Sequence, residues 1–196
     1  HDQILLAALL VARDDPARAA YRESLPTRLP SLPLYYTPAE AEALLCTSLG
    51  PRMRERHLQI GEEVAWLRGN AAGMAALGEV EWFFAQAQVG SRCFYLGELH
   101  GEAMVPFADL LNHASQPDTR WQLDARGSFV LRAVRPLPAG AELHHSYGEI
   151  SNARLLLNYG FTQADNSVRV CLLELPGCGE LTLAEVDAEA LQGVRA

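Results

Sequence analysis

The hydrophobic spacing of this chain changes once, near position 78, from a helical period to a period of two, and that switch constrains the fold most. Before it, Leu5, Ala8, Leu9 and Ala12 share one face, Pro16 interrupts, and 17–25 resumes the pattern. Three prolines over 26–33 require an extended connection. Thr37-Pro38-Ala39-Glu40 is a capping box with proline at the first helical position, which predicts a helix over 38–46. A longer amphipathic helix is expected over 52–68, closed by Gly69-Asn70. A loop over 73–78 follows, then an aromatic-rich helix over 80–89 that ends at Gly90.

Beyond Gly97 the pattern predicts strands over 104–108, 120–123, 128–134, 141–147 and 168–175. A short helix over 151–158 begins at Ser151. Thr182-Leu183-Ala184-Glu185 reads as a second capping box that opens a final helix. A helical block followed by a strand-rich block implies an α+β fold, divided as 1–77, 78–175 and 176–196. With 49% hydrophobic and 20% charged residues the chain can bury a core and is not of the disordered class.

The formal net charge of −8 excludes an ordinary nucleic-acid binder, which needs a basic face, and suits basic partners such as lysine-rich tails. The four cysteines, Cys46, Cys93, Cys171 and Cys178, lack Cys-x-x-Cys spacing and read as reduced intracellular thiols. The apolar run over 4–12 is too short to cross a bilayer and has no basic flank, so it reads as a buried helix. The chain opens on His1 already in helical periodicity, so residues upstream are expected.

The chemistry-bearing residues sit in the second block. Asp109-Leu110-Leu111-Asn112-His113 puts a polar pair at the end of an apolar stretch. His144-His145-Ser146-Tyr147-Gly148, Ser151-Asn152, 155–157 and Tyr159-Gly160-Phe161 follow. Each piece has a plain reading: a packed histidine, an amphipathic tyrosine at a strand end, a glycine helix stop. Taken in order, they resemble the SET domains of the Rubisco large-subunit lysine methyltransferase group, which includes an actin-histidine methyltransferase. Upstream, 6–10, Tyr21-Arg22-Glu23-Ser24-Leu25-Pro26 and Tyr35-Tyr36-Thr37 are similar to that group's helical insert. Val89-Gly90-Ser91-Arg92-Cys93-Phe94 is similar to the segment before its catalytic strands.

The resemblance implies a pseudo-knotted β-clip SET fold, with a helical insert over 1–77, the catalytic half over 78–175 and the start of a helical substrate-binding domain over 176–196. The group's N-terminal strands, with their Gly-x-Gly turn, have no counterpart here, so the resemblance implies truncation at both ends. The implied function is methyl transfer from S-adenosylmethionine to a lysine nitrogen of a protein substrate. A histidine target, or a scaffold that transfers nothing, is the alternative. Carried over residue by residue, Arg92, Asn112 and His113 would hold the cofactor, with Arg92 on its carboxylate. Tyr147 would be the catalytic tyrosine. Tyr159 and Phe161 would serve cofactor and target walls, and Ser91, Asp109 and Tyr159 would line the target side. No metal, nucleic acid or membrane is implied, and the protein would be an intracellular monomer.

These residue types suit the reaction. In-line transfer from a sulfonium needs positioning and no metal. A lysine nucleophile must be neutral, and deprotonating it near pH 7 costs about 4–5 kcal/mol from a pKa of about 10.4. A buried aromatic channel beside a cation disfavours the ammonium, and aromatic walls tolerate the methylammonium product.

Competing sites are weaker. Adjacent strand residues face opposite ways, so His144-His145 reads as a surface strand, not a metal clamp. Asp109, His113 and Ser115 lack a nucleophile elbow. Cys171 and Cys178 lack zinc spacing. Glu62-Glu63 and Arg52-Arg54-Arg56 read as a solvated helix face, and Trp66, Trp82 and Trp121 as core or insert packing.

Overall fold

The computed structural model describes residues 2–11, 16–45, 47, 49–168, 170–175 and 179–184. Five helices come first: α1 (Asp2–Val11), α2 (Pro16–Ser24), α3 (Pro38–Glu42), α4 (Leu49–Asn70) and α5 (Glu79–Arg92). Short strands follow: β1 (Cys93–Tyr95), β2 (Glu102–Met104), β3 (Asn112–His113), β4 (Thr119–Leu123), β5 (Phe129–Ala133) and β6 (His144–His145). Helix α6 (Asn152–Tyr159) and the strands β7 (Val170–Leu175) and β8 (Gly179–Ala184) complete the order. The α+β expectation holds.

The helical core is built where three amphipathic faces meet. Ala7, Leu10 and Val11 of α1 pack with Ile60, Val64 and Leu67 of α4 and with Trp82, Ala85 and Val89 of α5; Leu25 and Leu77 close the ends. The spacing of three and four along each helix puts these residues on single stripes. The buried face of α1 is therefore rotated from the expected one, and Leu5 lies 61% exposed. The Thr37 capping box forms as read, with the Thr37 amide donating to Glu40 Oε2 at 2.8 Å and the Glu40 amide to Thr37 Oγ1 at 3.4 Å. Helix α3 nevertheless ends at Glu42, and Cys46 lies outside the described residues.

Three sequence readings need correction in this block. Gly90 does not stop α5, which continues through Ser91 to Arg92, because a helical glycine costs only about 1 kcal/mol and packing against α1 and α4 outweighs it. Glu63 is not on a solvated face: it accepts hydrogen bonds from Trp82 Nε1 at 2.7 Å and Gln86 Nε2 at 3.0 Å, and Arg56 pairs with it at 3.4 Å. Trp66 is 61% exposed, whereas Trp82 is fully buried.

The strands pair locally, as β1 with β2 and β4 with β5, both antiparallel. The exception is β3 with β6, which are parallel, with Asn112 opposite His144 and His113 opposite His145. The expected strands over 104–108 and 141–147 shrink to Glu102–Met104 and His144–His145. The first is cut short by Phe107, whose positive φ of 72° turns the chain into a 3-10 turn at Ala108–Leu110. At the C-terminal end, Thr182 does not open a helix. Residues Gly179–Ala184 pair antiparallel with Val170–Leu175, and cross-strand pairing overrides the local capping signal. Residues 185–196 lie outside those described. Among the described residues, no helix is long and apolar enough to cross a membrane.

Helix α6 ends at Gly160, whose φ is 79°. A Cβ there would stand 2.6–2.8 Å from Ser31 atoms, including its backbone, so only glycine lets α6 approach the proline-rich connection. Gly160→Ala should destabilise the fold by roughly 2–4 kcal/mol, combining left-handed strain with overpacking. Gly90→Ala, in a helix with open space at its Cβ, should stabilise by roughly 0.5–1 kcal/mol. Urea unfolding of the two variants checks both signs.

Candidate active site

The β3–β6 ladder fixes the site. Tyr147 follows β6 by two residues, and its amide donates to His113 Nδ1 at 3.0 Å while its hydroxyl donates to the Leu111 carbonyl at 2.9 Å. Both ends of the tyrosine are thus pinned to the segment around β3. Ring centroids lie 5.1 Å apart for His113 and Tyr147, 4.5 Å for Tyr147 and Tyr159, and 6.3 Å for Tyr147 and Phe161. Helix α6 delivers Tyr159 from its last turn, and the left-handed Gly160 swings Phe161 back toward His113, 6.0 Å away.

A cavity of about 260 Å³ opens beside these rings, walled by Arg92, Phe94, Trp121, His145, Tyr147 and Tyr159, with Ser91 and Asp109 also at its edge. Residues Ser91, Arg92, Asp109, Tyr147 and Tyr159, singled out from the sequence, therefore meet around one space. His113 and Phe161 stand behind it, in ring contact with Tyr147. Asn112 does not join them: it is exposed and its amide donates to Glu142 Oε1 at 2.6 Å. The Asp109 side chain is wholly enclosed, receiving the Tyr21 hydroxyl on Oδ2, with Arg92 Nη1 3.8 Å away. The Ser91 hydroxyl is turned back onto its own helix, donating to Ala87 at 2.8 Å.

Three wall residues, and Tyr21 behind them, were missed or misread. His145 is not on a surface strand; it is 7% exposed and packed between Phe94 and Tyr147, with ring centroids at 5.2 and 4.9 Å. The signal was available, since residues two apart on a strand share a face and Tyr147 was already assigned. Trp121 does pack, stacking on Phe129 at 5.3 Å, but it also walls the cavity. Phe94 meets Trp121 edge-on at 5.8 Å. Tyr21 reaches Asp109 from α2 across 88 residues, a pairing that no local pattern announces.

Burial sets the protonation states. It raises the Tyr147 pKa, with Tyr159 adding to the effect, and it raises that of Tyr159 as well, so both phenols stay neutral donors. Burial pushes the Cys93 thiol up to about 12, so it is not a thiolate nucleophile. Burial also lowers the pKa of His113 and of His145, leaving neutral rings against the tyrosine. No group of three or more His, Cys, Asp or Glu that could hold a metal occurs among the described residues.

Comparison with known proteins bears on this geometry. The family model of the SET domain matches residues 12–148. Human N-lysine methyltransferase SETD6 is 29% identical over 100 residues, which cover 50% of this chain and 19% of that protein. The Saccharomyces cerevisiae protein-lysine N-methyltransferase EFM1 is 36% identical over 64 residues, covering 32% and 11%. Among solved structures, the SET domain of LSMT bound to lysine and AdoHcy superimposes with a TM-score of 0.74 at 18% identity, covering 93% of this chain and 50% of that one. Rubisco LSMT bound to AdoMet gives 0.72 at 20% identity, covering 88% and 42%. The chain thus spans a fifth or less of these curated relatives and half or less of these solved chains. At such identity the structural likeness establishes the fold.

The histidines make stability depend on pH in one direction. Their folded pKa lies below the unfolded value, so the unfolded chain binds more protons as pH falls. Their contribution is full above about pH 6.5 and declines below it. Unfolding free energy measured by urea titration should fall between pH 7 and pH 5, and His145→Phe should flatten that slope. A wild-type protein with no loss across this interval would contradict the assignment.

Proposed function

The chain belongs to the SET domain family, and from that premise we propose that it transfers a methyl group from S-adenosylmethionine to a lysine side-chain nitrogen of a protein substrate. The observation that carries the proposal is the pair of neutral tyrosines, Tyr147 and Tyr159, 4.5 Å apart in the wall of a cavity that also contains Arg92. The relatives named as protein-lysine N-methyltransferases support the same target. The protein would act as an intracellular monomer, without nucleic acid.

The residues present fit such a cofactor at one testable point. Arg92 is 14% exposed at the cavity, and its hydrogen bonds to the described residues run from Nε and Nη1, so a planar guanidinium keeps further N–H groups for a carboxylate. His113 and Tyr159 would stand against the rest of the group, with Asn112 at the β3 edge and Phe161 behind. S-adenosylmethionine, when bound, supplies a methyl group on a cationic sulfonium.

The protein's own part is to hold a neutral amine in line. An aromatic wall of Phe94, Trp121, Tyr147 and Tyr159 solvates an ammonium poorly and so disfavours it relative to the amine. The Tyr147 hydroxyl stays protonated because burial raises its pKa. It can therefore orient a lone pair without presenting an anion that would hold the proton on the amine. The methylammonium product keeps cation–π contact with the same rings.

Tyr147→Phe should lower methyl transfer at least ~100-fold, the usual scale for losing one positioned polar group, and lower the unfolding free energy by only about 1–2 kcal/mol, the loss of its bond to the Leu111 carbonyl. Labelled cofactor with lysine-containing polypeptides, and mass spectrometry of the modified residue, checks both the loss and the target. Full turnover by this variant would rule out the role given to Tyr147.

A further inference from the structure

Helix α2 ends in a segment, 21–26, that no step above uses, yet both of its ends are tied to Arg92. At one end the Tyr21 hydroxyl donates to Asp109 Oδ2. At the other, the Pro26 carbonyl accepts from Gln88 Nε2 at 2.7 Å, and Gln88 Oε1 accepts from Arg92 Nε at 2.9 Å. Arg92 Nη1 then donates to the Asp109 carbonyl at 2.9 Å. The bonds form a closed loop from α2 through α5 to the 3-10 turn and back.

We propose that segment 21–26 is a clamp that holds Arg92 as a receptor for the carboxylate of a small molecule, with Tyr21 and Gln88 as its positioning residues. The inference rests on the function proposed above and adds the device that makes Arg92 available.

Three features argue for it. Gln88 is fully buried and uses both ends of its amide, so it cannot turn without losing two bonds. Two fixed N–H groups define the plane of a guanidinium, so the direction of the remaining ones is set as well. Most telling is the distance between Arg92 Nη1 and Asp109 Oδ2, 3.8 Å, which exceeds hydrogen-bond range. An unrestrained arginine beside a carboxylate closes on it as a bidentate pair. Here Tyr21 occupies Oδ2 and holds the carboxylate back, while Asp109 Oδ1 is buried with no hydrogen-bond partner. Burial and the bond to Asp109 raise the Tyr21 pKa strongly, so the phenol remains a donor. The clamp thus keeps the Asp109 carboxylate from taking up the Arg92 N–H groups as a bidentate partner, although the two charges stay paired at 3.8 Å, and the side chain has already lost the freedom a loose arginine would lose on binding.

The test separates the carboxylate from the rest of the ligand. Calorimetric titration of the wild type, Tyr21→Phe and Gln88→Met uses two probes, S-adenosylhomocysteine and 5′-methylthioadenosine, which lacks the aminocarboxylate end. Each variant should bind S-adenosylhomocysteine about tenfold more weakly, the scale of one charge-assisted hydrogen bond, and bind methylthioadenosine within about twofold of the wild type. Equal weakening for both probes would mean a general structural role and would overturn the clamp, as would unchanged affinity for both. A wild type that binds methylthioadenosine and S-adenosylhomocysteine equally would overturn it too, with the cofactor reading intact. A wild type that binds neither would remove the cofactor reading and the clamp's ligand together.

Discussion

Two residues of parallel ladder, Asn112–His113 against His144–His145, decide where every side chain of the site stands. A two-residue ladder offers little stability by itself, since each hydrogen bond contributes only about 1 kcal/mol net. It is held by bonds on either flank. The Ala114 amide donates to the His145 carbonyl at 3.1 Å, and the Asp118 amide and Thr119 hydroxyl both donate to the His144 carbonyl, at 3.1 and 2.9 Å. Tyr147 adds its two bonds back to His113 and Leu111. The Tyr147 phenol is therefore part of what maintains the pairing, as well as its product.

The second determinant is the length of α5. One end packs Trp82 and Ala85 into the helical core, and the other carries Ser91 and Arg92 to the cavity. A helix transmits position rigidly along its axis, so the core formed by α1, α4 and α5 sets the guanidinium. Had Gly90 ended the helix, Arg92 would have started a loop and lost its i−4 partner Gln88. The helical block is thus more than an appendage to the strands that wall the cavity, because the stripe that buries Val89 also orients the residue three positions on.

How much of this could be read from the sequence depends on how far apart the partners lie. The Thr37–Glu40 box was legible because both halves of the bond sit within one turn. Tyr147, Tyr159 and Arg92 were legible because their residue types and order resemble a known family. Strand ends were not, since Phe107 takes a positive φ that a sequence pattern assigns to glycine. Nor was the burial of His145, the enclosure of Glu63 by Trp82 and Gln86, or the reach of Tyr21 to Asp109. Those are long-range contacts between residues whose local signals read as polar surface. Thr182 failed in the opposite direction: a correct local signal for a cap lost to strand pairing with β7.

The proposed methyl transfer depends on burial more than on any one residue. Stripping a proton from lysine near neutral pH costs about 4–5 kcal/mol, more than a single hydrogen bond can offset. A wall that withholds hydration penalises the ammonium relative to the amine. The same burial raises the pKa of both tyrosines, so the wall answers with neutral dipoles and not with anions that would restore the proton. Burial therefore acts on the amine and on both tyrosines in the direction the proposed reaction needs. It also bears on Asp109, whose carboxylate at the cavity edge is fully enclosed and bonded to Tyr21: an exposed carboxylate there would stabilise the ammonium that the proposed reaction must disfavour.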